Sequence, residues 1–176
     1  MAENRALAFD PIVAAQERWR ERWGEQSRHR TMAAATSIMR VQQLLLARFD
    51  AIAAAQGLTF ARYEALVLLA FSRHQEMSMS RIGQRLMVHP TSATNIVKRL
   101  VASGYVERRP NPRDGRGYLA RITASGLAAM EAVTTELEAI DFGLGDFSDA
   151  QVDRLRDLLH AVRISEGDVP RDEARI

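Results

Sequence analysis

Two amphipathic segments that nearly touch, followed at once by a hairpin pattern, restrict this chain more than any other feature. Ser78 can cap a short helix carrying Ile82, Leu86 and Met87 on one face. After the break at Val88-His89, Pro90 stands where a first helical turn tolerates a missing N–H, and Thr91 to Ser103 continues as a second helix with Ile96, Val97, Leu100 and Val101 inward. Gly104 ends it. Two helices joined by so short a break, the second opening on small polar side chains, make a helix-turn-helix. Tyr105 to Arg109 then reads as a strand, Pro110 to Gly117 as a turn dense in Pro, Asn, Asp and Gly, and Tyr118 to Thr123 as a returning strand. That is a β-hairpin, or wing.

Helical periodicity dominates on both sides of this unit. Pro11 opens an amphipathic stretch to about Gly24, with Ile12, Ala15, Trp19 and Trp23 on one face, and a polar segment, Glu25 to Arg30, follows. From Thr31 to Ala55, Ile38, Val41, Leu45, Phe49 and Ile52 form a long apolar stripe stopped at Gln56-Gly57. Thr59 can cap the next helix, with Tyr63, Leu66, Val67 and Ala70 inward and an end near Arg73. Beyond the hairpin, Leu127, Met130, Val133, Leu137 and Ile140 mark one helix, and the capping pattern at Ser148 to Gln151 opens another with Val152, Leu155, Leu159 and Val162. The fold class is therefore mainly α with a small β-hairpin wing, a winged helix-turn-helix flanked by long dimerisation helices. The expected plan is an N-terminal extension over 1–30 with its helix at about 11–24, a dimerisation helix over 31–56, the winged unit over 58–123, C-terminal dimerisation helices over 124–165 and a flexible tail over 166–176. The stripes outnumber the faces one small domain can cover, and a second copy of the chain is the economical cover.

Charge is distributed to match. The net charge is only +2, yet residues 81–121 hold nine basic side chains against Glu107 and Asp114, whereas residues 122–176 hold five against twelve acids. A basic block inside an otherwise balanced chain is what a phosphate-binding surface requires. The side chains near the N-terminus of the second helix, Thr91, Ser92, Thr94 and Asn95, sit where a helix laid in the major groove touches base edges, with Lys98 and Arg99 one turn later. Asn95 can pair bidentately with adenine, and Lys98 and Arg99 suit phosphate or guanine. Arg109 at the base of the wing and Arg113 and Arg116 at its tip supply a second contact. Asp114 shapes the turn and orients a neighbouring guanidinium.

These residues carry a resemblance. Ser78-Met79-Ser80-Arg81-Ile82-Gly83, then Val88-His89-Pro90-Thr91-Ser92, then Val97 to Gly104, then Asp114-Gly115-Arg116 leading into Arg121-Ile122-Thr123, resemble the MarR family of bacterial regulators. The resemblance covers about Thr31 to Val162. It implies a homodimer that presents two winged domains to a pseudo-palindromic site on double-stranded DNA, with repression the family habit. It also implies a small aromatic or acidic effector, bound between the dimer helices and the winged domain, that loosens the grip on DNA.

The helix at 11–24 is additional to the family core, and interface packing is its simplest use. The other use is a ligand pocket bounded by Trp19 or Trp23, Met39, Tyr63 and Glu64, with Arg40 or Arg62 for a carboxylate. A urate-responsive subgroup of the family pairs such a helix with an Asp and two Arg. Here Arg108 matches one Arg, but Glu64 replaces the Asp and Ile96 the other Arg, which argues against urate itself.

Other classes find little support. There is no cysteine, hence no disulfide, Cys-ligated zinc or thiol chemistry. No phosphate-cradling glycine loop is present, and His29, His74, His89 and His160 show no metal-ligand spacing, so no enzyme, cofactor or metal is expected. With no long apolar run and no secretory pattern, the expectation is a cytoplasmic protein without a membrane partner. A winged helix that binds protein instead of DNA is the alternative, and salt dependence separates the two.

Overall fold

The computed structural model describes residues 7–112 and 117–169, and the chain divides into two compact units after Arg62. In the first unit, α1 (Pro11–Trp23) starts at Asp10, whose Oδ1 accepts from the amides of Ile12 at 2.8 Å and Val13 at 3.2 Å. It lies against α2 (His29–Ala53), but buries none of its residues, and Trp19 and Trp23 stack at a tilt, 4.5 Å between centroids. α2 begins two residues earlier than its apolar pattern suggests because His29 is itself buried. A turn of 3-10 helix over Ala54–Gln56 closes it at Gly57.

The first amide of α3 (Phe60–Ala70) is capped from a distance. Asp50 Oδ1 accepts from Phe60 N–H at 2.6 Å, and Phe49 packs on Phe60. The expected cap, Thr59, instead uses its hydroxyl to accept from Arg62 Nε at 3.2 Å.

α3 runs on into the second unit, where Tyr63, Ala65, Leu66 and Leu69 are buried. It stops at Ala70, short of Arg73, and residues 73–75 form a tight turn with His74 and Gln75 in left-handed conformation. A strand absent from the sequence reading follows: β1 (Glu76–Ser78) pairs antiparallel with β3 (Tyr118–Ile122), which also pairs with β2 (Val106–Pro110). The wing is thus part of a three-stranded sheet in the order β1-β3-β2, with Ala120 fully buried at its centre opposite both Met77 and Arg108.

α4 (Met79–Leu86) and α5 (Pro90–Ala102) make the helix-turn-helix around Ile82, Ala93, Val97 and Leu100, all buried. Gly83 sits at their crossing, where even a Cβ would lie 3.6 Å from that of Ala93. Met87, expected inward on α4, is instead its left-handed C-cap, with φ 54°, and points to solvent. Gly104, at φ 74°, turns the chain out of α5 and into β2, a conformation glycine adopts without Cβ strain.

α6 (Ala124–Glu138) is capped by Thr123, whose hydroxyl lies 3.1 Å from the Gly126 amide and also donates to the Gly104 carbonyl at 2.8 Å. Met130, Val133 and Leu137 bury its inner face, and Tyr63 donates to Thr134 Oγ1 at 3.0 Å while Thr134 donates to the Met130 carbonyl. α7 (Asp149–Ser165) starts where Gln151 Oε1 accepts from both the amide and the hydroxyl of Ser148. The tail expected over 166–176 lies outside the described residues from 170 onward. No single helix among the described residues is long and apolar enough to cross a membrane.

One contact fixes α6 against the sheet. A Cβ on Gly126 would collide with the Tyr105 carbonyl oxygen and stand 2.9 Å from Ile122 Cγ1. Backbone cannot yield there as a flexible side chain would, so Gly126→Ala is expected to cost roughly 2–3 kcal/mol, a drop of about 5–10 °C in Tm. A thermal melt followed by circular dichroism checks this, and an unchanged Tm contradicts it.

Candidate nucleic-acid interface

The helical period sorts the side chains of α5 into two faces. Ala93, Val97 and Leu100 point into the unit, so Thr91, Thr94, Asn95 and Lys98 lie on the opposite face, and Ser92 and Arg99, two turns apart, share one flank. All six are exposed. Every expected contact on this helix therefore shares one continuous outward surface, because the apolar positions that drive folding take the other side.

The hydrogen bonds of α5 set what this surface can offer. His89 caps the helix: its Nδ1 accepts from the Thr91 amide at 3.3 Å, and its carbonyl accepts from the amides of Ser92 and Ala93. Thr94 donates its hydroxyl proton to the Pro90 carbonyl at 2.9 Å, which leaves its oxygen free only to accept. Asn95, Lys98 and Arg99 have no side-chain hydrogen bond or ion pair among the described residues. An amide and two cations held in water with no internal partner are ready to exchange that water for a polyanion.

The wing base differs from this. Arg109 Nε meets Glu107 Oε1 at 2.8 Å, an exposed pair with little intrinsic strength that a phosphate can displace. Arg108 lies over the Tyr118 ring, 4.5 Å from its centroid, which fixes its direction. Asn111 N–H donates to the Gly117 carbonyl at 3.2 Å and closes the neck of the hairpin. Arg113, Asp114 and Arg116 lie outside the described residues.

Two cations missing from the expected set belong here. Arg81 and Arg85, one turn apart on α4, are exposed and have no ion pair among the described residues. Their four-residue spacing on one flank of Ile82 and Leu86, within the basic block, was the available signal.

The pocket residues are placed separately. Trp19, Trp23, Met39 and Arg40 are exposed on the first unit. Tyr63 is buried in the second, and Glu64 beside it has its carboxyl pKa raised by partial burial. No group of three or more His, Asp or Glu able to hold a metal occurs among the described residues.

Comparison with known proteins agrees with this architecture. The MarR family model matches residues 56–117. The chain is 37% identical over 100 residues to the transcriptional repressor IacR of Pseudomonas putida, a stretch covering 54% of this chain and 58% of that protein, so it spans little more than half the length of this curated relative. A solved MarR family transcriptional regulator of Streptomyces coelicolor, Sco5413, is 54% identical, with a TM-score of 0.73, over 78% of this chain and 96% of that one. A cysteine-to-serine mutant of Escherichia coli MarR, solved with operator DNA, is 25% identical with a TM-score of 0.66, over 73% of this chain and 91% of that one. IacR is named a transcriptional repressor and Sco5413 a transcriptional regulator, neither of them an enzyme. With 54% identity over a stretch that covers 96% of one solved regulator, and with the winged helix-turn-helix in common, the chain belongs to the MarR family of transcriptional regulators.

Proposed function

We propose that this chain is a sequence-specific double-stranded DNA-binding repressor that grips a pseudo-palindromic operator as a homodimer. The observation that carries the reading is the outer face of α5, where Asn95, Lys98 and Arg99 stand exposed without partners among the described residues. IacR is named a repressor, and E. coli MarR has been solved on operator DNA. In this reading α5 enters the major groove, with Thr91, Ser92, Thr94 and Asn95 at base edges and Lys98 and Arg99 at phosphates or guanine. Arg81, Arg85 and Arg109 add phosphate contacts. Arg113 and Arg116 reach the neighbouring minor groove, and Asp114 orients them. The protein works where the chromosome lies, in the cytoplasm.

Dimerisation is supported by apolar faces left open on a single chain. On α2, Ile38 and Val41 are 40% and 49% exposed, and α7 buries none of its residues. Release by a small aromatic or acidic ligand at Trp19, Trp23, Met39, Arg40, Tyr63 and Glu64 completes the proposal.

Selection of bound duplexes from a random pool by the purified protein tests it. The expected product is an inverted repeat with half-sites one helical turn apart, about 10 base pairs, or a multiple of it. Recovery of no common sequence would sink the reading in favour of a winged module that binds protein.

A further inference from the structure

A cavity of about 250 Å3 opens within the N-terminal unit, walled by Val13, Glu17 and Arg20 of α1, Glu25 of the connecting loop, and His29 and Arg30 at the start of α2. None of these residues belongs to the DNA-facing set or to the ligand residues proposed above.

His29 is its fixed element, with only 6% of its surface exposed. Ser27 Oγ donates its one proton to the Gly24 carbonyl at 2.6 Å, so it has none to give the ring. His29 Nδ1, 3.2 Å from the Ser27 carbonyl oxygen, must therefore carry the ring proton and donate it there. In the neutral ring this leaves Nε2 a bare acceptor. It has no protein partner among the described residues, and it is not sealed from solvent, since no side-chain nitrogen or oxygen there is both fully buried and unpartnered. His29 is also one of the residues that line the cavity.

The charged groups around it are only half matched. Arg20 and Glu25 pair loosely at 3.8 Å. Glu17 and Arg30 line the same cavity, yet neither has an ion-pair partner among the described residues. Beside Arg30, α2 begins without a side-chain cap, so its orphan N–H groups add a positive end to that wall.

The unmatched groups are therefore a cationic wall at Arg30, a carboxylate at Glu17 and the imidazole of His29. A simple anion would satisfy Arg30 but meet the repulsion of Glu17 and Glu25, and a simple cation would meet the converse. A molecule carrying both charges a few ångströms apart satisfies both walls. We propose that this cavity binds a small free amino acid with an aliphatic side chain: its carboxylate at Arg30 and the start of α2, its ammonium at Glu17 and His29 Nε2, its side chain along Val13. The volume lies below that of drug-sized sites and suits a ligand the size of valine or leucine. Binding here does not depend on the reading of α5 as a DNA helix.

Titration calorimetry of the full chain with L-leucine, 4-methylpentanoate and L-leucinamide tests the assignment, since the last two each lack one of the two charges. Leucine is expected to bind at least about tenfold more tightly than either analogue. Glu17 and Arg30 are exposed, so Glu17→Gln and Arg30→Gln should fold normally. Each should weaken leucine about tenfold or more, and Glu17→Gln should also erase the advantage of leucine over 4-methylpentanoate. Arg18→Gln, on the same helix but off the cavity wall, should change nothing. Both tryptophans of the chain lie on α1, so their fluorescence gives an independent readout of occupancy. Equal affinity for leucine and 4-methylpentanoate would reduce the site to an anion trap and overturn the proposal. So would absence of leucine binding in the millimolar range, or binding indifferent to both substitutions.

Discussion

Asn95→Ala should weaken binding to the selected operator by at least about 30-fold while leaving affinity for random duplex nearly unchanged. A bidentate amide contact to a base discriminates by about 1–3 kcal/mol, and a two-fold complex loses it in both half-sites. Asn95 is exposed, and its side chain has no hydrogen-bond partner among the described residues to lose, so the change in operator affinity is not masked by a change in fold. Lys98→Ala with Arg99→Ala should behave in the opposite manner. It should weaken all duplexes alike, and flatten the plot of log affinity against log salt by roughly 3–4 if four phosphate contacts vanish from the dimer. Fluorescence anisotropy with operator and scrambled duplexes, at several salt concentrations, measures both effects. Should Asn95→Ala weaken both duplexes equally, Asn95 reads no base; should the double substitution leave the salt slope intact, the two cations touch no phosphate.

That surface is the part of the molecule most legible in the sequence. Pro90 at a helix start, Gly104 at its end and the apolar set Val97 and Leu100 dictate which way α5 faces, and the outward residues follow by periodicity. What escaped the sequence depends on partners far along the chain. β1 is three residues with one buried apolar side chain, Met77, and exists because β3, some forty residues later, offers it hydrogen bonds. The amide that Thr59 was expected to serve goes to Asp50, a carboxylate brought there by the turn at Gly57. Met87 breaks the apolar rhythm of α4 because the chain must reverse before Pro90, and nothing local marks a methionine for a left-handed cap. The stretch at Glu25 to Arg30 reads only as a polar segment, yet it buries His29 and helps wall a cavity, since polar composition alone does not say which side chain turns inward. Thr94 returns its hydroxyl proton to the Pro90 carbonyl, a local bond that residue type permits but does not require.

A second substitution set should act through assembly. α7 has 17 residues and buries none of them, with Leu158 61% and Val162 44% exposed, so a single chain gives it little packing. A helix of that length is marginal in water on propensity alone, and tertiary or quaternary packing of its apolar stripe must hold it. If a second copy supplies that cover, Leu158→Asp with Val162→Asp places two carboxylates in an apolar interface, where desolvating their charge is costly. The wild-type chain should then sediment at twice its 19.7 kDa mass and the variant at once that mass, with helical circular dichroism reduced as α7 frays. Operator affinity should fall by about 100-fold or more, because each winged unit now binds its half-site alone and loses the high effective concentration its twin provided. Affinity for a single half-site, already monovalent, should hardly change, and this separates lost assembly from damage to the winged unit. A variant that still sediments as a dimer would mean that α7 lies outside the interface and that its stripe meets something other than a second copy of the chain.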